Sequence, residues 1–171
     1  YYIDWSDIVI PQVVAQVQGR DIVTPTGINV NGGDADIKGV EFSITARPVR
    51  GLDLNLGLSY AEPKYKSARA QSFIEFPTYS PTGDVSGNQI LRTSKFQANA
   101  GARYGQPLRG DTEWFIRGDL SYRDKQYADA SNQTIVPEST YLNATIGLTN
   151  DRWSLELWGR NLTDEDAPTG A

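Results

Sequence analysis

Cysteine, histidine and methionine are all absent from this chain of 171 residues. Without cysteine there is no disulfide and no thiolate metal site, and without histidine there is no histidine-based catalytic triad. No stretch approaches the ~18 consecutive apolar residues that a membrane-spanning helix needs. No cofactor and no bound metal are therefore expected. An enzyme that works through carboxylates alone is still compatible with the composition.

An excess of positive charge is also lacking. The chain has 16 Lys and Arg against 21 Asp and Glu, a formal net charge of −5, and no basic patch is visible. Nucleic acid is therefore not an expected partner. Hydrophobic residues make up only 39% of the chain. A membrane β-barrel remains compatible with this value, because only alternate residues of its strands face lipid.

The clearest pattern is a strict two-residue alternation over residues 52–60. One series is apolar or aromatic, and the residues between its members are polar or small. Such a period is the signature of a β-strand with one apolar and one polar face. The apolar series is Leu52, Leu54, Leu56, Leu58 and Tyr60, and the other series is Asp53, Asn55, Gly57 and Ser59.

The same alternation predicts seven long strands joined by hairpins. Pro11 predicts a bulge or kink in the first strand, and residues 31–34 predict a bulge or tight bend in the second. Phe115 and Trp158 interrupt the polar series, which indicates either aromatic packing on the polar side or a shift of register. The predicted strands cover residues 1–18, 22–30 continuing into 38–47, 52–65, 95–104, 114–123, 141–149 and 153–160.

The connections alternate between short and long. Turns at 48–51, 106–111 and 150–151 are short, whereas residues 66–92 and 124–138 form long loops. Outer-membrane barrels have short periplasmic turns and long extracellular loops. The expected fold class is therefore all-β, an antiparallel meander of about seven strands that forms part of a transmembrane β-barrel in the bacterial outer membrane.

Aromatic residues fall near the ends of the predicted strands and are interpreted as membrane girdles. Trp114 and Tyr122 are eight residues apart, which corresponds to roughly 20 Å of membrane height for a tilted strand, close to the expected ~25 Å apolar band. The residues expected at the periplasmic rim are Trp5, Tyr104, Trp114 and Trp153, and those expected at the outer rim are Tyr60 and Tyr122.

Two groups of polar and aromatic residues are candidate functional positions. The first group is expected to face the lumen of the barrel. Its charged residues are expected to pair with one another and to contact a plug, and a role in guiding substrate is less favoured. The group comprises Asp53, Asn55, Lys95, Gln97, Asn99, Arg103, Arg117, Asp119, Arg123, Glu156 and Arg160. The second lies on the long loops and either binds ligand or packs the loops together: Arg69, Phe73, Phe76, Tyr79, Tyr127 and Asn132.

Several segments together resemble the late barrel strands of TonB-dependent outer-membrane receptors. In that family an Asn-Leu-x-Asp motif commonly comes shortly before the final strand, and Asn161 to Asp164 match it here. The resemblance covers nearly the whole chain. The segments that carry it are YYIDWSD at 1–7, DADIKGVE at 34–41, ARP at 46–48 with GL at 51–52, and WSLELWGRNLTD at 153–164.

The resemblance implies a 22-stranded barrel filled by an N-terminal plug, of which residues 1–171 would supply roughly strands 15–21. It also implies energised uptake of a large, scarce substrate such as an iron–siderophore, cobalamin, haem or a glycan. The implied partners are outer-membrane lipid, the plug and remaining barrel strands, and the TonB energy-transducing protein, which acts through an N-terminal region. The plug and the final strand are not found in this sequence, which is expected to be a piece of a longer chain.

Two other classes stay open on sequence alone. A soluble or small outer-membrane β-barrel that binds a small ligand would show the same alternation, because the pattern does not say which face points inward. The aromatic girdles and the unequal turn lengths favour the transport barrel. An outer-membrane enzyme with a carboxylate site is the third possibility, but the carboxylates are scattered over faces and loops.

Overall fold

The computed structural model describes the backbone of residues 1–18, 21–70 and 82–166, and side chains over these ranges apart from 11–28 and 30. Nine strands occur in this part of the chain, and seven of them form one sheet in the order β1-β2-β3-β4-β5-β8-β9. β6 and β7 form a separate small hairpin. The bounds are β1 Tyr2–Gln18, β2 Asp21–Val49, β3 Leu52–Ala68, β4 Phe96–Arg109, β5 Thr112–Arg123, β6 Gln126–Tyr127, β7 Ile135–Val136, β8 Ser139–Thr149 and β9 Ser154–Gly159.

The predicted antiparallel seven-stranded meander is confirmed. Consecutive strands along the chain pair with one another, apart from β6 and β7, which lie in the connection between β5 and β8. The stretch 124–138, predicted as an irregular loop, therefore contains a hairpin in which Tyr127 pairs with Ile135. Across residues 1–18, 21–70 and 82–166, no helix has the length and apolar character required to cross a bilayer.

The pairing of β1 with β2 is irregular at residues 31–33, as predicted, but it is regular at Pro11. Pro11 pairs in register with Asn29, so the predicted bulge at this proline is wrong. A proline is tolerated in a strand where its nitrogen points away from the partner, since no ladder hydrogen bond is then lost. The irregular steps fall between Trp5 and Ile8, between Ile8 and Val9, and near the end of the strand. The first includes Asp7, which has a left-handed φ of 58°.

Two of the three short turns are tighter than the sequence predicts, whereas the connection between β8 and β9 has four residues instead of the predicted two. β2 continues to Val49 and β3 begins at Leu52, so two residues form this turn. β4 and β5 are likewise separated by two residues, whereas the sequence predicts a turn over 106–111. Gly51 and Gly110 have φ angles of 85° and 62°, and such left-handed conformations favour glycine in two-residue hairpins.

The chain divides into two compact units. Unit 1 comprises residues 1–39, 61–93 and 126–136. It contains a cluster of buried apolar side chains that includes Ile8, Ile10, Tyr65 and Val85, all exposed by 3% or less. Lys66 Nζ forms a salt bridge with Asp4 at 3.2 Å on its surface.

Unit 2 comprises residues 40–60, 94–125 and 137–171. It contains the last third of β2, the first part of β3, and β4, β5, β8 and β9. Among its described residues Phe115 is the one large apolar side chain that is buried. Its apolar side chains are otherwise half-exposed or exposed, in contrast to the packed cluster of unit 1.

Candidate functional site

Cross-strand pairing in unit 2 places the predicted polar series on one face of the sheet, called here the polar face. Asp53 pairs with Arg103, Arg103 with Arg117, and Arg117 with Thr145. Because side chains alternate between faces along every strand, an unbroken register puts these residues and their i±2 neighbours on the same side. The face thus holds Asp53, Asn55, Gln97, Asn99, Arg103, Arg117, Asp119, Arg123 and Glu156.

Charges on part of the polar face are paired. Arg47 Nε donates to Asp53 Oδ1 at 2.6 Å. Arg117 makes a two-point contact with Asp119, at 2.7 and 2.8 Å. Arg103 binds Glu113 Oε1. Of the predicted lumen residues, Asp53, Arg103, Arg117 and Asp119 are thus in ion pairs, while the lumen-facing role of the set stays a prediction.

Phe115 and Trp158 also lie on the polar face, because the register around them is unbroken. Of the two interpretations that the sequence left open, aromatic packing on the polar side is therefore the one observed. Each ring is covered by a guanidinium: Arg103 lies 4.6 Å from the Phe115 ring centre, and Arg160 lies 4.8 Å from that of Trp158. Such cation–π contacts allow aromatic rings to occupy a charged surface.

The opposite side of the same strands, called here the apolar face, is exposed. Ile116 pairs with Ile146, and their exposed fractions are 49% and 51%. Phe42 is 53% exposed and Leu157 is 74% exposed. Monomeric soluble proteins rarely expose contiguous apolar surface of this kind, and such a surface marks contact with a partner or a membrane.

Small residues leave a depression in the middle of the apolar face. Ala100, Ala102 and Gly118 lie at its floor, and larger side chains such as Leu54 and Leu120 line its sides. The depression has a volume of about 520 Å³. Its lining is almost entirely apolar.

Aromatic rings cluster at both ends of the apolar face. Tyr104 and Trp114 make an edge-to-face contact with ring centres 5.8 Å apart, near the two-residue turns. Phe96 and Tyr122 lie 5.9 Å apart at the other end, where Tyr60 pairs with Phe96. Phe96 was not among the aromatics singled out from the sequence, although it belongs to the apolar series of β4.

Two further aromatics complete the predicted girdle set. Trp153 is 48% exposed and is the last residue of the connection between β8 and β9, and its place at a membrane rim stays a prediction. The periplasmic placement of Trp5 is wrong. Trp5 pairs with Ala35, which lies fourteen residues before the end of β2 at Val49, so it belongs to unit 1 and is far along the strand from the short turn.

Within unit 1, the two long connections are joined through an asparagine. Asn132 Oδ1 accepts from the Gln89 backbone N–H at 2.8 Å, and Asn132 Nδ2 donates to the Gln89 carbonyl at 2.9 Å. The side-chain amide thus imitates a neighbouring strand. Asn88 Nδ2 reinforces the contact by donating to the Ala130 carbonyl at 2.9 Å. Asn132 also has a φ of 60°, which asparagine tolerates better than most residues.

Asp129 organises the same connection. Its carboxylate accepts backbone N–H bonds from Ser131 at 2.9 Å and from Thr134 at 2.8 Å, and a longer one from Gln133 at 3.4 Å. Partial burial raises the pKa of Asp129, but hydrogen bonds from the side chains of Ser131 and Thr134 and from the backbone N–H groups of Thr134 and Gln133 outweigh it, so its pKa lies below the ordinary value of 3.8. The ionised form is therefore part of the folded loop.

Three of the six loop residues predicted as possible ligand contacts lie in the described part of the chain. Phe73, Phe76 and Tyr79 lie outside the described residues. Arg69 lies at the end of β3, where its N–H donates to the Gly32 carbonyl at 2.8 Å and it forms an isolated bridge with Asp84. Tyr127 is in β6, and Asn132 holds Gln89 as described. The latter three all belong to unit 1.

The Asn-Leu-x-Asp segment continues the hydrogen bonding of β8 after β9 has ended. Asn161 N–H donates to Asn143 Oδ1 at 3.0 Å, and Leu162 N–H donates to the Leu142 carbonyl at 2.8 Å. Glu165 Oε2 accepts a backbone N–H near the start of β8 at 2.9 Å. The motif therefore satisfies polar groups of β8 that β9 does not reach.

Comparison with known proteins agrees with this geometry. The crystal structure of BauA, the ferric preacinetobactin receptor from Acinetobacter baumannii, superposes with a TM-score of 0.64 at 19% sequence identity. The match covers 98% of this chain and 23% of that one, so this chain spans about a quarter of the other protein's length. The family described as "TonB dependent receptor-like, beta-barrel", whose members are transporters of the bacterial outer membrane, matches residues 1–162. The chain therefore belongs to the TonB-dependent receptor β-barrel family.

Proposed function

We propose that this chain is the late part of the barrel, roughly strands 15–21 of 22, of an outer-membrane receptor that imports a large, scarce substrate. The candidate substrates are an iron–siderophore, cobalamin, haem or a glycan. The receptor would draw its energy from TonB through an N-terminal region. A plug domain and further strands would complete the barrel around the polar face.

The observation that carries the proposal is the reversal of ordinary burial in unit 2. Its apolar residues, such as Ile116 and Ile146, are exposed along a whole face, while its charged residues lie on the other. A bilayer supplies the apolar environment that this face lacks, and acyl chains fit the depression over Ala102 and Gly118. Aromatic clusters at both ends of the face, at Tyr104 with Trp114 and at Phe96 with Tyr122, match the two interfaces.

The choice of candidate substrates is supported by the family and by the long loops. The long connections are joined by Asn132 and Gln89, which would give an extracellular surface of defined shape. BauA is a receptor for a ferric siderophore, but at 19% identity the likeness supports the fold alone. Iron chelates are therefore the first substrates to test, with cobalamin, haem and glycans beside them.

The test is a growth assay with the intact receptor gene. A strain that lacks the gene is supplied in turn with siderophores, haem, cobalamin or glycans as the limiting nutrient, and growth is compared with that of the complemented strain. The expected result is a defect on one substrate class that complementation restores only when TonB is present. Normal growth of the deletion strain on every class, or rescue without TonB, would contradict the proposal.

A further inference from the structure

A second recess lies on the polar face, away from the charge pairs. The pairs Gln97–Arg123 and Arg123–Ser139 form one row across β4, β5 and β8. Asn99, Ser121 and Tyr141 form the row beside it. The two rows line a recess of about 350 Å³. It occupies the strand ends that continue into the long connections 69–95 and 124–138, whereas the charge pairs lie toward the two-residue turns.

The recess contains a positive charge without a counter-charge. Arg123 forms no ion pair within the described ranges 1–18, 21–70 and 82–166, and its buried Nε has no hydrogen-bond partner there. Among the same described residues, no carboxylate lines the recess. Arg103 and Arg117 on the same face differ, because each binds a carboxylate. A sheltered cation without a partner is costly, so this arrangement requires either solvent or an anion.

The neighbouring groups suit an anion. Gln97 and Asn99 carry amide N–H₂ groups, and Ser121 and Tyr141 carry hydroxyl groups, so four side chains that can donate line the same recess as the guanidinium. A planar guanidinium binds carboxylate, phosphate or catecholate oxygens at two points and does so more strongly than it binds neutral acceptors. The set thus matches a multiply charged oxygen-bearing group better than a neutral sugar.

We propose that this recess binds an anionic oxygen-bearing group of the imported substrate, an inference that rests on the proposed function. It narrows the substrate classes to those with such a group, namely haem with its propionates, cobalamin with its phosphodiester, or a carboxylate- or catecholate-type siderophore. Neutral glycans and neutral hydroxamate siderophores are then excluded. Arg123 acts as the charge that selects, and Gln97 and Tyr141 position the bound oxygens.

The experiment uses the intact receptor, purified in detergent, and measures binding by quenching of tryptophan fluorescence. The probes are a ferric tris-catecholate and haem, which are anionic, and a ferric trihydroxamate, which is neutral. The variants are Arg123→Gln and Arg123→Lys. Arg109→Gln serves as the matched control, because Arg109 is exposed beside the turn between β4 and β5 and does not line the recess.

The expected result is that an anionic probe binds wild-type receptor, that Arg123→Gln weakens this binding at least tenfold, and that Arg123→Lys weakens it less. Arg109→Gln should bind as wild type. An anionic probe that binds Arg123→Gln as tightly as wild type overturns the inference, and so does selective binding of a neutral probe, while import itself would still stand.

If the proposed import function is wrong, the growth assay shows it separately, because no probe would then support TonB-dependent growth. A contact between Arg123 and the plug would also be distinguishable. In that case Arg123→Gln would lower the temperature at which the receptor unfolds on SDS gels and would leave the affinity ratio of anionic to neutral probes unchanged. That outcome would overturn the anion site as well.

Discussion

An arginine placed in the middle of the apolar face should destabilise the receptor far more than one placed on the polar face. Ala144 is the test position. Trp114 pairs with Leu148 and Tyr122 with Thr140, so Ala144 lies four residues from each aromatic level. With a rise of ~3.3 Å per residue and a tilt near 40°, this is roughly 10 Å from either interface, which is close to the bilayer midplane.

The magnitude follows from that depth. Arginine at the midplane of a membrane barrel costs about 2–4 kcal/mol, which lowers the folding equilibrium constant roughly 30- to 700-fold. Ala102 pairs with Gly118, as does Ala144, so Ala102→Arg should show a similar loss. Asn55, on the polar face at nearly the same level, is the control, and Asn55→Arg should cost less than about 1 kcal/mol.

The assay is urea unfolding of the intact receptor reconstituted in phosphatidylcholine vesicles, followed by tryptophan fluorescence. The linear dependence of the free energy of unfolding on urea concentration gives the three differences. An equal cost for Ala144→Arg and Asn55→Arg, or a larger cost at Asn55, would show that the apolar face does not contact lipid.

Three further outcomes are expected. Gly51→Ala should destabilise the protein more than Gly110→Ala, and comparison of their thermal unfolding tests this. Both residues have a left-handed φ, but of the two only Gly51 would place a Cβ against a backbone carbonyl oxygen. Asn132→Gly, which keeps the backbone conformation, should speed hydrogen exchange at the Gln89 amide by roughly tenfold or more, corresponding to about 1–3 kcal/mol, and unchanged exchange would contradict the contact. The pKa of Asp129 is lowered in the folded protein. The stability that its carboxylate contributes to the loop is therefore complete above pH 3.8 and is lost as the pH falls through the lower folded value. Amide protection in this loop should follow the same course, and Asp129→Asn should remove the pH dependence.

The strands and faces could be predicted from the sequence because they depend on local alternation. The series from Leu52 to Tyr60 specifies both a strand and its two sides, and the structure pairs its apolar member Leu54 with Ala102 of the apolar series of β4. The face occupied by Phe115 could not be predicted from local alternation. Its side was fixed by the unbroken register with β4 and β8, and no local pattern contains that information.

The loops could not be predicted, because their structure depends on contacts between distant residues. Asn132 binds Gln89 across 43 positions of sequence, and nothing in either segment indicates the other. Its amide is engaged with the backbone, so the prediction that Asn132 contacts ligand now requires a geometry compatible with that contact. Trp5 was misplaced for a related reason, since only pairing with Ala35 shows how far along β2 it lies.

Site-directed spin labelling of Leu56 and Asn55 tests the central claim most directly, and the absence of cysteine from these 171 residues simplifies it. A nitroxide at Leu56 in the reconstituted receptor should collide readily with oxygen dissolved in the bilayer and poorly with a water-soluble nickel chelate. The adjacent label at Asn55 should not share this lipid signature. Oxygen accessibility at Leu56 as low as that of a packed protein interior would contradict the assignment of this face to the membrane.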